Sequence, residues 1–152
     1  MHCIAHILNL VVNESLKEDG SSVKRVREAV RYVRNSPARL HKFRDFADLI
    51  GVDCKCSLSL DVATRWNLTY DMLKTACLFD KVFKKFEKCD HVYRTDLEDD
   101  VPDFMDWLSV KQLVDFLEKF YQMTLRISGS HYVTANTFFC EIINLFYILK
   151  EW

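Results

Sequence analysis

A chain of 152 residues, 49% apolar and 28% charged, has the size and content of one folded domain. Three glycines and two prolines are too few for a disordered segment or a many-turned β-sandwich. The formal net charge of −1 excludes bulk electrostatics as the source of any partner.

Helical periodicity dominates from the start. Ile4, Ile7, Leu8, Val11, Val12 and Leu16 make one apolar face, which predicts a first helix ending near the turn Asp19-Gly20-Ser21-Ser22, with serine capping the next. Val23, Val26, Val30 and Val33 form a second stripe, and Lys24, Arg27, Arg31 and Arg34 run beside it at the same spacing. Ser36-Pro37 is a helix start, with Ser36 as N-cap and Pro37 in the first turn; Leu40, Phe43, Ala47 and Ile50 follow until Gly51 stops them. Residues 52–63 lose the helical stripe, and the alternation of Leu58, Leu60 and Val62 predicts a loop with a short extended piece. From Thr64, the spacing of Trp66, Tyr70, Leu73, Cys77, Phe83 and Phe86 predicts a single long helix of five or six turns. An acidic, solvated loop is expected over residues 88–102, then a second long helix from Pro102 to Ile127, a break at Ser128-Gly129-Ser130, and a last helix from Thr134 to the C-terminus. The expected architecture is a mainly all-α bundle.

Charge is unevenly spread. Lys24, Arg25, Arg27, Arg31, Arg34, Arg39, Lys42 and Arg44 are opposed by Glu28 alone, whereas Asp96, Glu98, Asp99, Asp100, Asp103 and Asp106 have no base among them. Such asymmetry suits a nucleic-acid face on one side and a loop that avoids it on the other. The competing reading of the basic stripe is a solvated helix face, though such faces normally mix signs.

The six cysteines form no framework. Cys54 and Cys56 are too close for an ordinary disulfide and no Cys-x-x-Cys pair occurs, so reduced thiols in an intracellular compartment are expected. Ile4 to Val12 lacks the basic flank of a secretory leader. No run reaches the roughly 20 apolar residues of a membrane span, so no membrane partner is expected.

Cys3 and His6, three apart on a helix, share a face, but a metal needs three or four ligands and no second pair lies at a suitable spacing. A structural role is therefore read for them, and no metal or other cofactor. Arg65-Trp66 opens the predicted long helix. Its two readings are a tryptophan core anchor beside a solvated arginine, and a stacking platform with a phosphate clamp. The acidic loop lacks the pattern of a calcium loop, and there is neither a Gly-rich phosphate loop nor a nucleophile elbow, so no small-molecule substrate is expected.

Five segments in order carry a resemblance. Cys3-Ile4-Ala5-His6-Ile7-Leu8-Asn9-Leu10 is followed by Asp61-Val62-Ala63-Thr64-Arg65-Trp66-Asn67-Leu68-Thr69-Tyr70-Asp71-Met72-Leu73, Asp106-Trp107, Phe120-Tyr121-Gln122-Met123-Thr124, and Ser128-Gly129-Ser130-His131-Tyr132-Val133-Thr134-Ala135-Asn136. Together they resemble hAT-superfamily DNA transposases, the plant RICESLEEPER-like proteins among them. The resemblance implies an RNase H-like catalytic domain split by a helical insertion. On that reading residues 1–19 are the Cys-x-x-His helix of the RNase H-like fold, and residues 20–152 belong to the insertion. It also implies that the catalytic acidic triad, the BED zinc finger and the dimerisation segment lie outside this sequence, so the chain is expected not to be an enzyme by itself. Leu68 stands where the family usually has serine. Carried over, Cys3 and His6 are active-site supports, and Arg65 and Trp66 contact DNA, with Lys24, Arg25, Arg27, Arg31 and Arg34 as further DNA contacts. The expected function is nuclear DNA binding. Its alternatives are a domesticated helical protein-interaction module without DNA affinity, or a truncated reading frame.

Overall fold

The computed structural model describes residues 2–18, 20–53, 55–129 and 135–151. The elements are α1 (His2–Glu18), α2 (Gly20–Arg34), α3 (Pro37–Ile50), α4 (Trp66–Leu78), α5 (Asp80–Cys89), α6 (His91–Leu97), a 3-10 turn (Glu98–Asp100), α7 (Phe104–Gly129) and α8 (Ala135–Glu151). Among the described residues there is no strand.

Local chemistry explains α3 most completely. The Ser36 hydroxyl accepts from the Arg39 amide at 3.4 Å, Pro37 opens the first turn, and Gly51 at φ 81° donates to the carbonyls of Ala47 and Asp48. That left-handed conformation strains any residue with a Cβ, so the stop requires glycine. The start of α7 is a reciprocal cap: the Asp106 amide donates to the Asp103 carboxylate at 2.8 Å, and the Asp103 amide to the Asp106 carboxylate at 2.9 Å.

Four expectations change. Gly20 opens α2 instead of closing α1, and Ser22, in the first turn, is buried and donates to Asp106 at 2.7 Å instead of capping. The predicted long helix from Thr64 is two helices. Phe79, at φ −106° and ψ 16°, leaves helical geometry, and its buried ring lies 5.6 Å from Phe43; beyond it α5 packs on α3, while α4 runs along α7. The expected acidic loop contains α6: Asp90 caps it by accepting from the amides of Val92 and Tyr93, and the buried Tyr93 ring lies 5.2 Å from Tyr32 and 5.6 Å from Phe86. Finally, residues 57–62 form no strand; Leu58 alone of the alternating three is buried, and it reaches α3 beside Leu40, Phe43 and Ala47.

One aromatic cluster joins these pieces. Phe43 of α3 packs against Phe83 and Phe86 of α5, and Phe83 against Trp107 of α7, with centroids 4.8, 6.1 and 5.4 Å apart. Tyr70 of α4 stacks on Tyr121 of α7 at 5.1 Å. Edge-on and offset ring pairs of this kind add about 0.5–1.5 kcal/mol each beyond their buried area. Half-buried against the same core, the Cys77 thiol is pushed up to about 11 by desolvation, so it packs as a small apolar group. No helix among the described residues is long and apolar enough to cross a membrane. The Ser128-Gly129-Ser130 break is described only as far as Gly129, the last residue of α7.

Candidate nucleic-acid interface

The segment Asp61 to Tyr70 is built around one buried carboxylate. Asp61, its side chain 1% exposed, receives both Nε and Nη2 of Arg27 at 2.9–3.1 Å, and the Thr69 hydroxyl at 2.9 Å. Burial alone would raise the Asp61 pKa, but the hydrogen bonds from Arg27 and Thr69 and the charges of Arg27 and Arg31 hold it below the ordinary value. The Arg65 amide donates to the Val62 carbonyl at 2.8 Å, closing the turn that starts α4. Trp66 is 8% exposed and points into the core, while Arg65, one residue earlier, is exposed and makes no cap. The arginine–tryptophan pair thus divides: the indole is an anchor and the guanidinium faces solvent.

The basic stripe of α2 is less bare than its sequence suggests. Lys24 pairs with Asp100 at 3.1 Å and Arg25 with Asp106 at 3.0 Å; on α3, Arg39 pairs with Asp96 at 3.2 Å and Lys42 with Asp90 at 3.3 Å. The acidic segment therefore folds onto the basic helices instead of standing away from them. Arg31 pairs with Glu28 on its own helix at 2.9 Å. Arg34 is exposed and has no ion-pair partner among the described residues. Exposed pairs such as Lys24–Asp100 are worth about 0–1 kcal/mol, so such a lysine can exchange its carboxylate for a phosphate. Arg27 cannot do so without stranding a buried Asp61.

In sequence Asp106 stands in the acidic segment and in the Asp106-Trp107 motif without a structural role, although Asp103 three residues before it is a capping signal. It collects Ser22, Arg25 and the Asp103 amide, and so ties α2 to α7. Burial opposes its ionisation, but the hydrogen bonds from Asp103, Ser22 and Arg25 carry its pKa below the ordinary carboxylate value of 3.8. Two depressed carboxylates, Asp61 and Asp106, contribute stability that is complete above that value and is lost as the pH falls through the lowered folded values. The stability difference between the wild type and Asp106→Asn should therefore be constant from neutral pH to about 5 and shrink below about 4. Urea titrations across that range check it; a difference unchanged at the acid end would show that the carboxylate charge is not what joins the helices.

His6 is exposed on α1, whereas the side chain of Cys3 lies outside the described residues, as do His131 to Thr134. Among the described residues no three His, Cys, Asp or Glu side chains are grouped to hold a metal ion.

The fold and motif loop agree with the comparisons. The family model described as "ZBED1 RNase-like helical domain" matches residues 1–116. The chain belongs to this family of helical domains from hAT-type transposases and their relatives. It is 31% identical to "Zinc finger BED domain-containing protein RICESLEEPER 3" of Oryza sativa subsp. japonica over 141 residues, covering 93% of this chain and 18% of that protein. It is 32% identical to the "Putative AC transposase" of Zea mays over 155 residues, 100% of this chain and 18% of the relative. It is also 33% identical to RICESLEEPER 4 of the same rice over 142 residues, 91% of this chain and 20% of the relative. The chain thus spans between 18% and 20% of the length of these relatives. No solved structure matches it.

Proposed function

We propose that the chain is a DNA-contacting helical module of transposase origin, working in the nucleus and holding no complete catalytic centre of its own. The observation that carries this reading is Arg65, exposed at the N-cap of α4 beside the buried Asp61–Arg27–Thr69 network. The amides of a helix start add their own positive potential there, so a phosphate would meet both. Arg34, without a carboxylate partner among the described residues, is the second contact, and Lys24 and Arg31 are contacts that first release a surface carboxylate. Arg25 and Arg27 support the surface from beneath. For the absence of catalysis, the support is that the buried carboxylates Asp61, Asp80, Asp106 and Glu141 each face an arginine or lysine.

Titration of labelled duplex DNA over a range of salt tests the reading. Each phosphate contact contributes about 0.9 to the log–log salt slope, so Arg34→Gln with Arg65→Gln should flatten it by about 2. An unchanged slope would remove both residues from the interface. The same samples with magnesium or manganese should show no nicking of a transposon-end duplex.

A second reading, a protein-interaction module without DNA affinity, is favoured by α8. Phe139, Ile143, Phe146 and Tyr147 recur on one side of that helix and are 48–68% exposed. Absence of salt-dependent DNA binding by the intact chain would favour it.

A further inference from the structure

Beyond Arg34 and Arg65, α5 carries a row of lysines that no carboxylate among the described residues pairs. Val82, Phe83 and Phe86 are buried, and Lys81, Lys84, Lys85 and Lys88 recur at i, i+3, i+4 and i+7 on the opposite side. No carboxylate among the described residues forms an ion pair with any of the four. The acids of α5 itself are taken: Asp80 by Lys111 at 2.6 Å and Glu87 by Arg94 at 2.7 Å. This is the reverse of α2, where long-range carboxylates come to the bases. Like charges one turn apart, Lys81 with Lys85 and Lys84 with Lys88, weaken the helix that carries them.

An exposed ring adjoins the stripe. The Lys84 ammonium lies 5.6 Å from the centroid of Phe104, the first residue of α7, which is 67% exposed. On the other flank, Lys85 of α5 and Lys42 of α3 stand over the Phe46 ring at 5.6 and 6.0 Å.

We propose that the α5 face is a nucleic-acid-strand surface, with Lys81, Lys84, Lys85 and Lys88 on the phosphates and Phe104 stacking on an unpaired base. From Lys81 to Lys88 the helix rises about 10 Å, the span of about three charges along one strand. A ring beside a row of ammonium groups is the combination that single strands use, because every base has a face to stack. An acidic peptide would satisfy the lysines but leave Phe104 without a purpose. The inference rests on the reading that the chain contacts nucleic acid, and it moves the main contact away from the α2 stripe.

The test is fluorescence anisotropy of the intact chain with labelled oligo-thymidylate and with a duplex of equal length. K81Q/K84Q/K85Q/K88Q should weaken both by about tenfold or more, and flatten the salt slope by about 0.7 per lost contact on the single strand. The same four positions changed to arginine should retain binding. Phe104→Ala should lose about five- to a hundredfold on the single strand and little on the duplex. If the fourfold variant melts early, K81Q/K88Q, confined to the two most exposed positions, gives the same readout at half size. Unchanged affinity in the glutamine variants, with loss in Arg34→Gln plus Arg65→Gln, would overturn the α5 surface and leave the general reading standing. No DNA binding by the wild type would overturn both. Displacement of the DNA by poly-glutamate, with Phe104→Ala neutral, would assign the face to an acidic protein. Tighter binding to phosphatidylserine vesicles than to DNA would assign it to a membrane surface.

Discussion

Replacing Asp61 with alanine should cost about 3–5 kcal/mol of folding stability, because it leaves the Arg27 guanidinium facing a site built for a carboxylate. The pair is shielded on both sides, Arg27 being 18% and Asp61 1% exposed by side chain, so water cannot readily take the missing partner's place. Thr69 loses its acceptor in the same substitution. Urea unfolding followed by tryptophan fluorescence reads the loss. A cost near 1 kcal/mol would mean that the pair behaves as a surface ion pair and does not pin the loop. The double variant Arg27→Met with Asp61→Leu should recover much of the loss, since apolar side chains of similar volume often replace a buried pair without penalty. If it recovers stability but not DNA binding, the network's contribution is to hold Arg65 in place.

Trp66→Ala should also cost about 3–5 kcal/mol, the usual result of emptying an aromatic site in a core. The ring is 8% exposed and shares the core with Tyr70, Leu73 and Phe79. Any loss of binding should then be equal on single-stranded and duplex DNA, since it follows from loosening of α4. Phe104→Ala makes the contrast: with 67% of that residue in solvent, little stability should change. Near-native melting of Trp66→Ala, with a selective loss on single strands, would return the stacking role to the indole.

Several features were legible in the residues alone. Ser36-Pro37 and Gly51 bounded α3 because caps and left-handed turns are chemistry within four residues. The five motifs in order pointed to the family that the comparisons identify, and the apolar spacing pointed to an all-helical fold. The stop at Phe79 was partly legible: two residues past Cys77 it stands about 200° round a helix from the stripe of Trp66, Tyr70, Leu73 and Cys77, and Phe83 and Phe86 follow Phe79 in the new phase. That its ring is received by Phe43 of another helix belongs to the tertiary structure. Helix α6 was hidden by the acids that flank it, although Asp90 is a good cap and Tyr93 a good anchor; the anchor needs Tyr32 and Phe86 to receive it.

Charge separates the two levels most clearly. The sequence by itself determined that α2 carries a basic stripe and that a separate acidic segment follows far downstream. Only the tertiary structure decided that the two meet, through pairs 57 to 84 residues apart in the chain: Arg39 with Asp96, Lys24 with Asp100, and Asp106 with Ser22 and Arg25. The four lysines of α5 have the same helical spacing, yet the fold brings none of them a carboxylate among the described residues. Which way Trp66 and Arg65 divide was decided at the same level. Arg65 is the extended residue before the helix and Trp66 its first residue, so the two side chains diverge; the aromatic core takes the one whose burial gains most while solvent keeps the one whose charge is costly to bury.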